Sequence, residues 1–254
     1  MYVFGSGLLW GTPTANADGT AIANPTPLLF GTLQDTEIDI KFELKQLHGQ
    51  NQFAVAVGRG KGTVTGKAKM ASLNAGFLET LVFGTSGANG LTSVVYDTTG
   101  AAIPATPFQI TVTPPSSGTF AADLGVIDAS SGRTMTRVAS TPAAGQYAVN
   151  TTTGQYTFAS ADTGKTVYIN YRYTATSSTA RRITMNNRPM GYAPTFRADF
   201  YAPFDGQSAI FTFNKCISDG FKMANKNDDF GVPELGFTVF ADAAGVIGTI
   251  SLTD

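Results

Sequence analysis

His48 is the only histidine of the chain and Cys216 its only cysteine. Nucleophilic catalysis by a Ser-His-Asp or Cys-His arrangement would therefore have to run through one imidazole. That imidazole sits in the Gly/Gln/Asn-rich stretch Leu47-His48-Gly49-Gln50-Asn51-Gln52, and no nucleophile motif accompanies it. Structural zinc takes four Cys or His ligands, and the chain holds two such residues in all. Cys216 ends the run Ile210-Phe211-Thr212-Phe213-Asn214-Lys215-Cys216, where it is expected to pack as a small hydrophobe. A single cysteine forms no intrachain disulfide, which fits assembly in a reducing cytoplasm.

Other stretches resemble chemical motifs and fall short of them. Gly58-Arg59-Gly60-Lys61-Gly62-Thr63 lacks the last glycine of the dinucleotide fingerprint, and it leads into a strand pattern where a helix is required. A phosphate loop would need Ser or Thr after Gly66-Lys67, and Ala68 stands there. In Asn225-Lys226-Asn227-Asp228-Asp229-Phe230-Gly231, phenylalanine occupies the glycine position of a calcium loop and no closing glutamate follows, so a polar turn is expected. Asn150-Thr151-Thr152 matches the glycosylation sequon but reads as a turn. Arg181-Arg182 is the one adjacent basic pair and reads as a solvated strand edge. Carboxylate pairs for glycoside hydrolysis converge only in three dimensions, and with 18 Asp and Glu residues a chance pair carries no information. The expectation is a non-enzymatic protein with no cofactor and no metal.

The elements that would position these residues are mostly strands. Glu37-Ile38-Asp39-Ile40-Lys41-Phe42-Glu43-Leu44-Lys45 alternates strictly, which predicts a buried face of Ile38, Ile40, Phe42 and Leu44 under a charged one. Gly62-Thr63-Val64-Thr65-Gly66-Lys67-Ala68-Lys69-Met70 is a second strand. Antiparallel pairing would set Glu37, Asp39 and Glu43 across from its lysines. Between the two, residues 47–60 form a connection too long for a simple hairpin turn, and long connections are functional or disordered. Phe53, Val55 and Val57 there argue for a surface that docks onto something. A helix is predicted over 73–83, capped by Ser72 and stopped by Gly84, with Leu73, Phe77 and Leu81 as its apolar stripe.

From about Thr92 the pattern changes to short strands between turn clusters. Ser93-Val94-Val95-Tyr96, Phe108-Gln109-Ile110-Thr111-Val112, Gln155-Tyr156-Thr157-Phe158 and Thr166-Val167-Tyr168-Ile169-Asn170-Tyr171-Arg172-Tyr173 are strand candidates. Their spacing predicts a small β-sandwich. Residues 181–190 read as a return strand, followed by strands over 195–201, 208–217 and 235–242. The expected organisation is a discontinuous core domain of residues 1–91 and 179–254 with a β-sandwich module, 92–178, inserted in it.

Composition narrows the role. Hydrophobic residues make up 43% of the 254, ample for a core, while charged residues make up 14% against about 25% in ordinary soluble domains. Such a surface is easiest to understand when copies of the chain or partners cover it. A formal net charge of −1 argues against general polyanion binding. Met1-Tyr2-Val3-Phe4-Gly5-Ser6-Gly7 has no charged region leading into an apolar one, so no signal peptide is expected. No run is long and apolar enough for a membrane helix.

Several stretches are similar to phage tail tube proteins of long-tailed bacteriophages. They are Phe30-Gly31-Thr32-Leu33-Gln34-Asp35 with the alternating strand after it, residues 47–56, Gly60-Lys61-Gly62-Thr63-Val64-Thr65-Gly66-Lys67-Ala68, and Asn74-Ala75-Gly76-Phe77. Residues 237–248 resemble the closing strands of that group, and 154–158 with 166–171 resemble a β module often carried by phage structural proteins. The resemblance implies a mainly β fold: a tail-tube-like β-sandwich or half-barrel with one flanking α-helix and an inserted small β domain. It further implies a virion protein made in the host cytoplasm, whose copies close into hexameric rings stacked as a hollow tube. Genomic DNA would pass through the lumen without sequence-specific binding. The tape measure, tail terminator and distal tail proteins would be its other partners, with no membrane involved. Gln52, Phe53, Val55, Val57 and Arg59 are then the candidate subunit-interface residues.

Two other readings stand beside it. Another virion component, such as a capsid decoration or tail terminator protein, would use the same β chemistry without forming long tubes. A carbohydrate-binding or adhesin-like module would use exposed aromatics, for which Tyr168, Tyr171 and Tyr173 are candidates, although alternation assigns Tyr171 and Tyr173 to a core face.

Overall fold

The structure, a computed structural model, describes residues 5–253 and is mainly β, with several antiparallel sheets and a single short helix. Met1 to Phe4, part of the segment read for a signal peptide, lie outside the described residues. In chain order the first strands are β1 (Leu8–Ala15), β2 (Leu28–Leu29), β3 (Leu33–His48), β4 (Ala54–Met70), β5 (Ala88–Asn89) and β6 (Leu91–Val95). Then come β7 (Ala101–Ala102), β8 (Gln109–Thr111), β9 (Thr119–Asp128), β10 (Thr136–Arg137), β11 (Gln146–Asn150) and β12 (Gln155–Phe158). The last are β13 (Thr166–Ala175), β14 (Arg181–Arg182), β15 (Thr195–Phe204), β16 (Gln207–Lys222), β17 (Glu234–Val239) and β18 (Gly248–Leu252).

The chain divides into two compact units: the described residues up to Gly87 together with those from Ile183 onward, and Ala88–Arg182. The second unit extends beyond 92–178 at both ends. Ala88 pairs with Arg182 and Asn89 with Arg181, so the two strands of the module's stem belong to it.

The first unit is an eight-stranded sheet in the order β2-β1-β15-β16-β17-β4-β3. Strand β16 is long enough to hold two partners end to end along one edge, β17 against Cys216–Lys222 and β18 against Ala209–Phe213. Alternation places Val64, Ala68, Met70, Phe196, Ala198, Leu235, Phe237 and Val239 on one face, where they form the core with Phe30, Phe77 and Leu81. The opposite face carries Asp35, Glu37, Asp39, Asp199, Asp219 and Glu234 against Lys41, Lys67, Lys69, Arg197, Lys215 and Lys222, so its charges are close to balanced.

The helix differs from its expectation. Asn74 caps it in place of Ser72, accepting from the Gly76 amide at 2.9 Å, because Ala71 still donates to Thr32 and holds the chain in the sheet until then. One α-turn, Ala75–Phe77, runs into a π-turn, Leu78–Val82, closed by the Phe83 amide on the Leu78 carbonyl. Phe77 and Leu81 are buried, with the Phe77 ring 4.6 Å from that of Phe30, while Leu73 lies outside the helix and is exposed. The return strand expected over 181–190 shrinks to Arg181–Arg182. Beyond it, residues 183–194 take no regular structure, since Pro189 and Pro194 cannot donate to a ladder.

The second unit is a small sandwich. One sheet sets β13 between β9 on one side and β6 and β7 on the other; its companion runs β10-β11-β12-β8, with only β10 and β11 parallel. Phe120, Tyr147, Tyr156, Phe158, Tyr171 and Tyr173 fill the space between. A register shift at the left-handed Gly125 bends β9. Asp123, just before the bend, takes hydrogen bonds from the hydroxyls of Tyr147 at 2.7 Å and Tyr156 at 3.0 Å. Burial first, and then this carboxylate, push both phenols well above their ordinary range, so both remain donors.

Candidate assembly surface

Strands β3 and β4 pair from Leu33↔Met70 to His48↔Ala54 and make one long hairpin. The connection expected over 47–60 is therefore a bend of a few residues, and the rest of it is strand. The sequence hides this because the ladder shifts register between Phe42 and Leu44 and again between Leu47 and His48. On β4 the first shift falls between Gly62 and Arg59 and the second between Ala56 and Ala54, and each breaks the alternation there.

The two halves of the hairpin meet different surroundings. Between Lys69 and Val64, β4 is sandwiched between β3 and β17. Above Val64 its second neighbour is gone. The remaining strand, from Thr63 to Ala54, projects roughly 30 Å at the usual rise per residue. The face predicted to be buried is consequently bare: Ile38 is half-buried, but Ile40, Phe42 and Leu44 are exposed, Leu44 to 62%. No other element of the unit reaches high enough to cover them.

The predicted interface residues all fall on this bare portion. Gln52 and Phe53 form the bend, and Phe53 is 84% exposed. Val55 and Val57 follow on β4, at 71% and 59%. Arg59 lies opposite Leu44, and its guanidinium stacks 4.5 Å from the Phe42 ring centroid. Sequence reading placed Leu47 at the start of this arm but assigned Leu44 to a buried face; an alternating strand gave no sign that its inner face would have no cover. It also missed the groove where the hairpin leaves the sheet. There Ile40, Phe42 and Val64 face Phe240, Ile247 and Ile250 across a cavity of about 660 Å³. The edges of β4 above Val64 and of β18 have no strand partner across it.

The charges along the hairpin pair differently from the expected ladder. Lys69 meets Asp35 at 2.8 Å and Glu37 lies opposite Lys67. Asp39 faces Thr65, however, and pairs with Lys41 of its own strand, as Glu43 pairs with Lys45 at 3.3 Å. Water and salt screen exposed pairs of this kind, so they solubilise the arm more than they hold it.

The two residues able to support thiol chemistry stay apart. His48 is exposed near the hairpin tip, where its Nε2 lies 3.2 Å from the Gln46 amide oxygen. Cys216 lies in the core with its thiol pushed up to about 12 by burial, as an inert packing group. Among the described residues, no group of three or more His, Cys, Asp or Glu side chains is arranged to hold a metal ion. No helix among them is long and apolar enough to cross a membrane. No family model matches the chain, and no curated protein matches it.

Proposed function

We propose that the protein is a non-enzymatic, self-assembling virion subunit that builds the hollow tail tube of a long-tailed phage. The observation that carries this reading is the hairpin. A strand pair that extends well beyond its sheet and leaves Phe42, Leu44, Leu47, Phe53, Val55 and Val57 in water is a liability for a solitary protein and an interface for a polymerising one. Closing a ring of six copies would join the free edges of the eight-stranded sheets and remove them as sites of aggregation. The near balance of acid and base on the sheet's polar face supports its use as a lumen wall, because a wall without a strong positive charge lets DNA slide where unpaired lysines would hold it. Tape measure, terminator and distal tail proteins would then meet the ends of the tube.

The glycan-binding alternative loses two of the three tyrosines that suggested it, since Tyr171 and Tyr173 are buried in the sandwich core while Tyr168 is half-buried. The test is negative-stain electron microscopy of the protein, dilute and concentrated, beside a variant lacking residues 52–57. Rings or tubes of uniform diameter are expected from the full chain, and a folded protein that no longer polymerises from the deletion. Tubes of normal length from the deletion variant would refute the role given to the arm.

A further inference from the structure

The ladder fixes which parts of the first unit lie at which end of its sheet. Strand β4 descends from the hairpin tip to Met70, and β17 begins beside that lower end, with Glu234 opposite Lys69 and the Met70 amide on the Pro233 carbonyl. The 223–233 loop, which joins β16 to β17, therefore hangs from the end of the sheet opposite the hairpin tip. It too presents apolar side chains to water, with Phe230 87% and Met223 61% exposed.

The two ends also differ in charge. On the projecting hairpin Glu43 is taken by Lys45, while Arg59 and Lys61 make no ion pair among the described residues. In the loop Lys226 reaches Asp229 at 3.4 Å, and Asp228 makes no ion pair among the described residues. The hairpin thus offers two cations outside any ion pair among the described residues, while the 223–233 loop, with one lysine against two aspartates, keeps a small negative charge and has Lys222 exposed at its root.

Building on the assembly reading above, we propose that the hairpin tip of one copy docks head to tail on the 223–233 loop of a second copy. Phe53, Val55 and Val57 would meet Met223 and Phe230, and Arg59 and Lys61 would meet Asp228 and Asp229. The apolar contact supplies the affinity and the charges set register and orientation. A contact between different patches of identical chains does not close on itself by a two-fold axis, so it propagates along the direction of the hairpin. This assigns a role to a loop that sequence reading took for a polar turn.

Charge reversal tests the pairing in the full-length protein. R59E/K61E and D228K/D229K should each abolish stacked assemblies in electron micrographs, and combining the four substitutions should restore them. Phe230→Ser should give the same loss with the charges intact, and all variants should keep the wild-type thermal unfolding profile. Normal tubes from D228K/D229K, or no recovery in the combined variant, would overturn the pairing while leaving the tail tube reading in place. Wild-type protein that stays monomeric at every concentration would sink that reading, and this inference with it.

Discussion

The lower and upper halves of the β3–β4 hairpin are made of the same kind of sequence and do opposite things. In both, β3 alternates apolar with polar residues and pairs with β4. Below Val64 the apolar side rests on Phe237, Leu235 and Phe196 and becomes core. Above it, Ile40, Phe42 and Leu44 continue the same stripe into solvent. The residues of β3 do not separate the two halves; the difference is whether the rest of the unit reaches them. The lower half stabilises the fold, and the upper half is left available for association.

That contrast is open to direct attack, and the largest effect should come from the lower half. Phe237, 1% exposed, lies beneath β4 and 5.8 Å from the Phe196 ring. Phe237→Ala should lower the unfolding free energy in urea by about 3–5 kcal/mol. A cost under about 1 kcal/mol would mean that this half is not core. The glycines of β4 give a finer comparison within one strand. A Cβ at Gly66 would come 2.1 Å from the Phe237 ring, whereas one at Gly58 would meet nothing within 4 Å. Gly66→Ala should therefore destabilise by about 1–3 kcal/mol through overpacking. Gly58→Ala should change stability by no more than about 0.5 kcal/mol. Equal effects in a denaturant titration would erase the distinction between the halves.

The smallest effect is silent at neutral pH. Cys216 is buried opposite Val239, and burial raises its thiol from 9.0 to about 12. The folded state thus holds that proton more tightly than the unfolded state. Its contribution is complete below pH 9 and is lost as the pH climbs from there toward 12. Cys216→Ala should flatten the alkaline limb of the stability profile over that window relative to wild type. Superimposable limbs would show the thiol to be more solvated than its place in the core implies.

The second unit shows how little of a bent strand is visible in its residues. Strands β12 and β13 were legible because Tyr156 and Phe158, or Val167, Ile169, Tyr171 and Tyr173, recur at every second position. Strand β9 is as long as β13 and was not legible, because the bend at Gly125 breaks its period and brings the charged Asp123 inward to Tyr147 and Tyr156. A carboxylate in a strand reads as a surface residue until its partners are known, and they lie 24 and 33 positions further along the chain.

By itself the sequence determined the mainly β character, the change of pattern in the middle of the chain and the packing of Cys216 as a small hydrophobe, and it singled out Phe53, Val55 and Val57 as apolar residues without a local cover. Period, turn composition and the scarcity of titratable groups are local properties, and they survive without knowledge of the fold. Only the tertiary structure decided that residues 54–60 are strand, that Ile40, Phe42 and Leu44 face water, and that the 223–233 loop lies at the far end from the hairpin tip. Those facts depend on register, and on which neighbouring strand stops at Val239. Burial is set by what arrives from distant parts of the chain, and a repeating pattern specifies a face without specifying what will cover it.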